Sequence, residues 1–233
     1  GGSVMQTVSE LYQTILSEPH WKEIMVKVDG VEFVYDSLSA LTTSNSLFSE
    51  NHPMIGACVA GEVELSYFPG DNIPARMAKI ELFVRLSNAT DVSEWIPKGV
   101  YFTDTRVTDP ETGIYTLHGY DAMLKAEQPF LTEGDPGEWP RPAPTLASQI
   151  AAKLNVTLDG RTVLNSSYMV PYPNDYTCRE LLSQIAVAHA GNWTISDSGQ
   201  LRLIQFAEIP AETFLMVDQE GDTIRLGEVG IIV

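Results

Sequence analysis

Ile24, Val26 and Val28 alternate with Met25 and Lys27, and Val31, Phe33 and Tyr35 resume the same two-residue period after Asp29-Gly30. Successive side chains of a strand point to opposite faces, and Asp-Gly supplies the positive-φ pair of a tight hairpin, so this spacing predicts two antiparallel strands. Alternation recurs at about 38–44, 55–67, 78–86, 99–107 and 113–118, with Gly61 as a candidate bulge and Asp109-Pro110-Glu111-Thr112-Gly113 as the last turn. Seven strands with short connections predict an antiparallel barrel or sandwich.

Elsewhere the period lengthens to that of a helix. Leu11, Tyr12, Ile15 and Leu16 follow a capping-box pattern, Thr7-Val8-Ser9-Glu10, and predict a short helix over 7–17. Tyr120 to Lys125 predicts one or two helical turns before Pro129. Residues 131–144 carry Gly134, Pro136, Gly137, Pro140, Pro142 and Pro144, which cannot sustain regular structure and mark a junction. Beyond it, Thr145 is a candidate cap for a helix bearing Leu146, Ile150, Ala151 and Leu154. Thr177-Cys178-Arg179-Glu180 is a capping box for a helix bearing Leu181, Leu182, Ile185 and Ala186, with Gly191 as its stop. Trp193 and Ile195, the turn Asp197-Ser198-Gly199, then Leu201 and Leu203 predict a hairpin. From about 207 the chain reads as extended, with a turn at Asp218–Asp222 and an apolar end at Gly230–Val233.

The expected class is α+β, mainly β. Gly1-Gly2-Ser3 reads as a cloning scar; residues 4–130 form a β-barrel-like unit; 131–206 form a small α/β unit of two helices plus a hairpin; and 207–233 begin a second β unit, cut short.

Composition is that of a globular chain: 44% of the 233 residues are apolar, and no apolar tract is long enough to span a bilayer, so no membrane segment is expected. Charge changes the picture more. With 31 acidic against 14 basic residues the net charge is -17, which repels a phosphate backbone and argues against specific nucleic-acid binding.

Candidate chemistry is thin. His20, His52, His118 and His189 are scattered, and neither Cys58 nor Cys178 has a second ligand nearby, so no metal is expected; no glycine-rich phosphate loop opens a helix, so no nucleotide cofactor is expected either. The two cysteines lie in different expected units, so a disulfide is possible but unforced, and they read as free thiols. Glu62 and Glu64 share one face of a strand and Asp104 lies in another, as a paired-carboxylate glycoside hydrolase would need, but the polar face of a strand accounts for them equally. His118 could be oriented by Asp121, with no nucleophile beside it. Trp21, Trp95, Trp139 and Trp193 could make a sugar platform in a carbohydrate-binding module, yet each adjoins apolar strands or the Pro-rich stretch, as packing residues do. Four Asn-x-Ser/Thr sequons, at Asn88, Asn155, Asn165 and Asn192, carry no weight without a secretion signal. No catalytic residue is assigned, and the chain is expected not to be an enzyme.

Several segments taken in order resemble the N-terminal part of phage tail-tip hub proteins, the baseplate-hub-like prophage tail family. They are Leu47-Phe48 leading to Ile55-Gly56-Ala57-Cys58-Val59-Ala60-Gly61-Glu62-Val63-Glu64-Leu65, Trp95-Ile96-Pro97-Lys98-Gly99-Val100-Tyr101-Phe102, and Thr116-Leu117-His118-Gly119-Tyr120-Asp121-Ala122-Met123-Leu124. Thr177 through Leu203 resembles that family's helix-hairpin unit. The resemblance implies a structural virion protein in a phage tail tip, assembled in the bacterial cytoplasm. It also implies a homotrimeric ring joining the tail tube or distal tail protein to a tail fibre or spike, with DNA passing through the channel. In that setting the acidity gains a mechanism, because carboxylates lining a channel let DNA slide without sticking.

Overall fold

Asp29 and Gly30 both adopt positive φ, 51° and 84°, the left-handed pair that closes a two-residue hairpin without splaying its strands. β1 (Trp21–Val28) and β2 (Val31–Val34) flank them, with Val28 opposite Val31 and Met25 opposite Val34. One 3-10 turn at Tyr35–Ser37 leads into β3 (Leu38–Ser44). With β4 (Glu62–Tyr67), β5 (Lys79–Ser87), β6 (Ile96–Thr108) and β7 (Tyr115–Tyr120), these strands make a seven-stranded antiparallel sheet in the order β2-β1-β5-β6-β7-β4-β3. The structure is a computed structural model that describes residues 8–49, 53–131 and 137–206 and the pairs 225–226 and 229–230.

The two edges of this sheet, β2 and β3, are consecutive pieces of one chain path separated by three residues. Such a link reaches at most about 14 Å, so the edges must approach one another and the sheet curls into a half-barrel. Three bulges help it bend. Ser39, Lys98 and Asp104 are each the extra residue where the register slips against β4, β5 and β7. The concave face is apolar: Val26 and Val28, Phe33, Val63, Leu65 and Tyr67, Ile80 and Leu82, Tyr101 and Leu117 form one buried cluster to which six strands contribute, and Leu38 and Leu41 of β3 pack on it. Phe33 meets Tyr67 edge to face, ring centroids 4.7 Å apart. Outside, α1 (Glu10–Leu16) lies against β5 and buries Ile15.

A second cluster gathers around two helices, α2 (Ala143–Lys153) and α3 (Cys178–Ala188). The hairpin of β10 (Gly191–Ile195) and β11 (Leu201–Gln205) covers them, and short β8 (Arg141–Pro142) and β9 (Met169–Val170) pair beside α2. Trp193 is fully buried there, its indole N–H donating to the Leu182 carbonyl at 2.8 Å. Met123, Ala126 and Phe130, from the 3-10 helix and the turn that follow β7, also belong to this cluster, as does Cys58. A two-residue pair, β12 (Arg225–Leu226) with β13 (Val229–Gly230), is described beyond them; the expected turn at 218–222 and the apolar end at 231–233 lie outside the described residues.

Several local expectations shift. The first helix is capped by Ser9, whose hydroxyl accepts from the Tyr12 amide and donates to Glu94; Thr7 lies outside the described residues. Thr145 is inside α2, which starts after the N-cap Pro142 and tolerates Pro144 in its first turn, because proline loses no hydrogen bond where the amides are unpaired anyway. The box of Thr177 and Glu180 does cap α3, but that helix stops at His189 and the positive-φ Ala190, and Gly191 already opens β10. The run 55–67 is a strand only from Glu62, since 54–58 turns away to pair with β10.

Leu65→Ala, at the centre of the concave cluster, is expected to cost roughly 2–5 kcal/mol in urea denaturation, while Thr42→Ala on exposed β3 should stay within about 0.5 kcal/mol. Equal losses would place the core elsewhere.

Candidate functional site

Where the half-barrel meets the helical unit, polar groups are buried and fully used. Asn192 is completely buried: its Oδ1 accepts from the Ala57 amide at 2.9 Å, and its Nδ2 donates to the carbonyls of Leu47 at 2.7 Å and Met54 at 2.9 Å. Backbone bonds run alongside, Gly56 N–H to Gly191 O at 3.0 Å and Trp193 N–H to Ala57 O at 2.9 Å, so 54–58 is stitched to β10. Asp121 ties the same loop from the other side. Its two oxygens accept separately from the amides of Gly61 and Met123, each at 2.8 Å, and its own amide donates to Gly61 O. A Cβ at position 61 would lie 2.9 Å from Asp121 Oδ2 and 2.0 Å from Asn45 Oδ1, so Gly61 serves close approach rather than a bulge.

Burial pushes the Asp121 carboxyl up to about 6, against the pull of the two amides and of Arg179. Arg179 spans the same joint, donating to the Met123 carbonyl at 3.0 Å and to Glu127 at 2.5 Å.

The other sequence candidates are dispersed. His118 meets Glu62 at 3.8 Å and the edge of Tyr120, not Asp121. Glu62 and Glu64 stand on the outer face of β4, opposite Tyr120 and His118, while Asp104 is the bulged residue of β6. His20 contacts the Glu18 carbonyl, and His189 is fixed between Ile185 O and the Asn165 amide; His52 lies outside the described residues. Cys58 and Cys178 are free and buried, and burial lifts their thiols to about 12 and about 11. The tryptophans do not share a platform. Trp193 is core, Trp21 is 65% exposed, and Trp139 sits edge-on to Phe130 and Tyr172 under the Arg141 guanidinium.

Trp95 belongs to a feature that alternation alone did not reveal. β1 runs past the end of β2, and between its residues Lys22–Ile24 and Leu38–Leu41 of β3 an apolar groove of about 650 Å³ follows the seam of the half-barrel. Arg85 closes one wall, holding Glu23 Oε2 at 2.7 and 2.9 Å and lying 4.4 Å above the Trp95 ring. Hydrogen bonds from Ser87 and Arg85 keep the Glu23 carboxyl below its usual range.

Two predictions follow from the joint. A raised acid binds its proton more tightly in the folded state, so its contribution is complete below about pH 4 and is lost as pH rises through about 6, roughly 2–3 kcal/mol for a shift of this size. Urea denaturation should show that decline between pH 4.5 and 6.5 in the wild type and a flattened profile in Asp121→Asn; an unchanged slope would assign the titration elsewhere. Asn192→Ala strands the Ala57 amide and two carbonyls, and is expected to cost about 2–4 kcal/mol and to speed hydrogen exchange at Ala57.

No protein-family model matches the chain, and no curated protein does. Among solved structures, the 43 kDa tail protein of prophage MuSo2 from Shewanella oneidensis aligns with a TM-score of 0.53 at 13% identity, over 84% of this chain and 59% of that one. The tail protein from Neisseria meningitidis MC58 aligns at 12% identity over 82% of this chain and 53% of its own (TM-score 0.48). Prophage tail protein gp18 from Listeria monocytogenes EGD-e aligns at 9% over 86% and 64% (TM-score 0.44). The chain thus spans less than two thirds of each of these proteins. At such identities the likeness is one of fold, and the fold that this chain shares is that of a prophage tail protein, the group its ordered sequence segments resemble.

Proposed function

We propose that the chain is a structural part of a phage tail tip, a hub adaptor that joins the tail tube or distal tail protein to the fibre or spike. The observation that carries this reading is the fold held in common with the MuSo2 tail protein over 84% of the chain. In the proposed assembly residues 4–130 form a tube unit, 131–206 a peripheral unit, and 207–233 begin a second tube unit. The two separate buried clusters suit that division, with Cys58 and the 122–130 segment anchoring one unit in the other. Three copies of the full-length protein form the ring, and function resides in interfaces rather than in catalysis.

A net charge of -17 suits a wall past which DNA must slide. Glu62 and Glu64, exposed on the outer face of β4, are carboxylates that such a wall could present. The proposed setting is the virion tail, assembled in the bacterial cytoplasm.

Light scattering on a longer version of the chain, extended beyond residue 233, is expected to return three times the protomer mass. A monomer for both the longer version and the present chain would contradict the ring.

A further inference from the structure

β3 lies at an edge of the sheet, with β4 on one side and, among the described residues, no strand on the other. Exposed edges are ordinarily kept from pairing with another chain by lysine, proline or a bulge. Here the bulge at Ser39 is the one such device, and it leaves Ala40–Ser44 in regular register. Residues 37–49 carry no charged side chain, although the chain holds 31 acidic and 14 basic residues. From Thr42 to Ser44 every residue is exposed, so neither face of that half of the strand is covered.

Beside that open edge runs the seam groove, with Leu38–Leu41 of β3 as one wall and Lys22–Ile24 of β1 as the other. β2 pairs only with Met25–Val28, so the seam side of Trp21–Ile24 has no strand beside it among the described residues. Glu23 and Arg85 neutralise one another there, which leaves Lys22 as the net charge of the lining. Val34 and Tyr35, which also line the groove, are 50% and 85% exposed. The two halves of β3 are thus complementary: Ala40 and Leu41 border a gap, while Thr43 and Ser44 are small, uncharged and exposed beyond it.

We propose that this edge binds a second copy of the chain, β3 against β3, antiparallel about a twofold axis at Thr42. Centring on Thr42 sets Leu41 of each copy opposite Thr43 of the other, and Ala40 opposite Ser44, so the whole regular run is paired. The exposed half of each strand then lies along the groove-lining half of the other, and the groove gives it room. Charge selects this face, because copies with a net charge of -17 repel one another and their approach is least opposed where no carboxylate meets the second copy. Main-chain hydrogen bonds supply the attraction, and opposed threonines add to it. The contact goes beyond the hub reading and does not rest on it: a ring of three needs heterologous contacts, whereas a twofold contact is isologous and closes at two.

In sedimentation velocity the mass is expected to rise from one protomer toward two as concentration passes through the order of 100 µM, since so short a pairing makes an interface below the roughly 1,200 Å² of standard complexes. Thr42→Lys sets two like charges against each other on the axis and should weaken the dimer roughly tenfold or more. Thr42 is exposed, so the urea midpoint of that variant should match the wild type's. Thr42→Cys should form an intermolecular disulfide under mild oxidation, because directly opposed strand residues have Cα atoms about 4.5–5.5 Å apart, within the span of a disulfide. Ser44→Cys, also exposed but about 14 Å from its counterpart in this register, should not. Cys58 and Cys178 are buried and stay out of the reaction. A wild-type monomer at every concentration, an undiminished dimer in Thr42→Lys, or equal cross-linking of the two cysteine variants would overturn the contact. A trimer that Thr42→Lys leaves intact would favour the ring and overturn the pairing.

Discussion

The half-barrel depends on one covalent constraint. β2 and β3 occupy opposite edges of a seven-stranded sheet yet are joined by three residues, so the sheet can satisfy its ladders only by curling until those edges meet. Everything apolar on the inner face then faces inward at once, and Val26, Leu65, Ile80, Tyr101 and Leu117 become one core. The closure is incomplete where β1 outruns β2, which leaves the seam groove beside Trp95. The bulges at Ser39, Lys98 and Asp104 absorb the curvature locally, so the ladders on either side of each keep their pairing.

The joint between the two buried clusters is built on a different principle. It is polar, buried and satisfied: Asn192 uses one acceptor and two donors, and Asp121 uses each oxygen on a separate amide. Buried polar groups that are fully paired fix a geometry more narrowly than apolar packing, because any shift leaves a group without a partner. Such a joint fixes how the half-barrel and the helical unit meet more than it adds stability. The cost is a carboxyl that burial raises to about 6.

Much of this was legible in the order of residues, for physical reasons that also mark where legibility ends. The hairpin at Asp29-Gly30, β3, β5, β7 and the capping box of α3 were readable because each rests on local rules of period, turn and cap. Gly61 was misread as a bulge because a glycine that admits close approach looks the same in sequence as one that bends a strand. The true bulges fall on Ser39, Lys98 and Asp104, polar residues on which alternation is silent. Asn192 stood out only as a sequon, although its work depends on three carbonyl and amide groups more than a hundred residues away.

The proposed role as a structural hub at the end of a tail tube is tested most directly by cryo-electron microscopy of an assembled tail carrying this chain. The result expected for a hub is three copies in a ring coaxial with the tube, their half-barrels around a lumen lined with carboxylates. Density for the chain away from the tube axis, on a fibre or in no ordered position, would contradict the hub; a ring with a neutral or basic lumen would remove the role given to its charge.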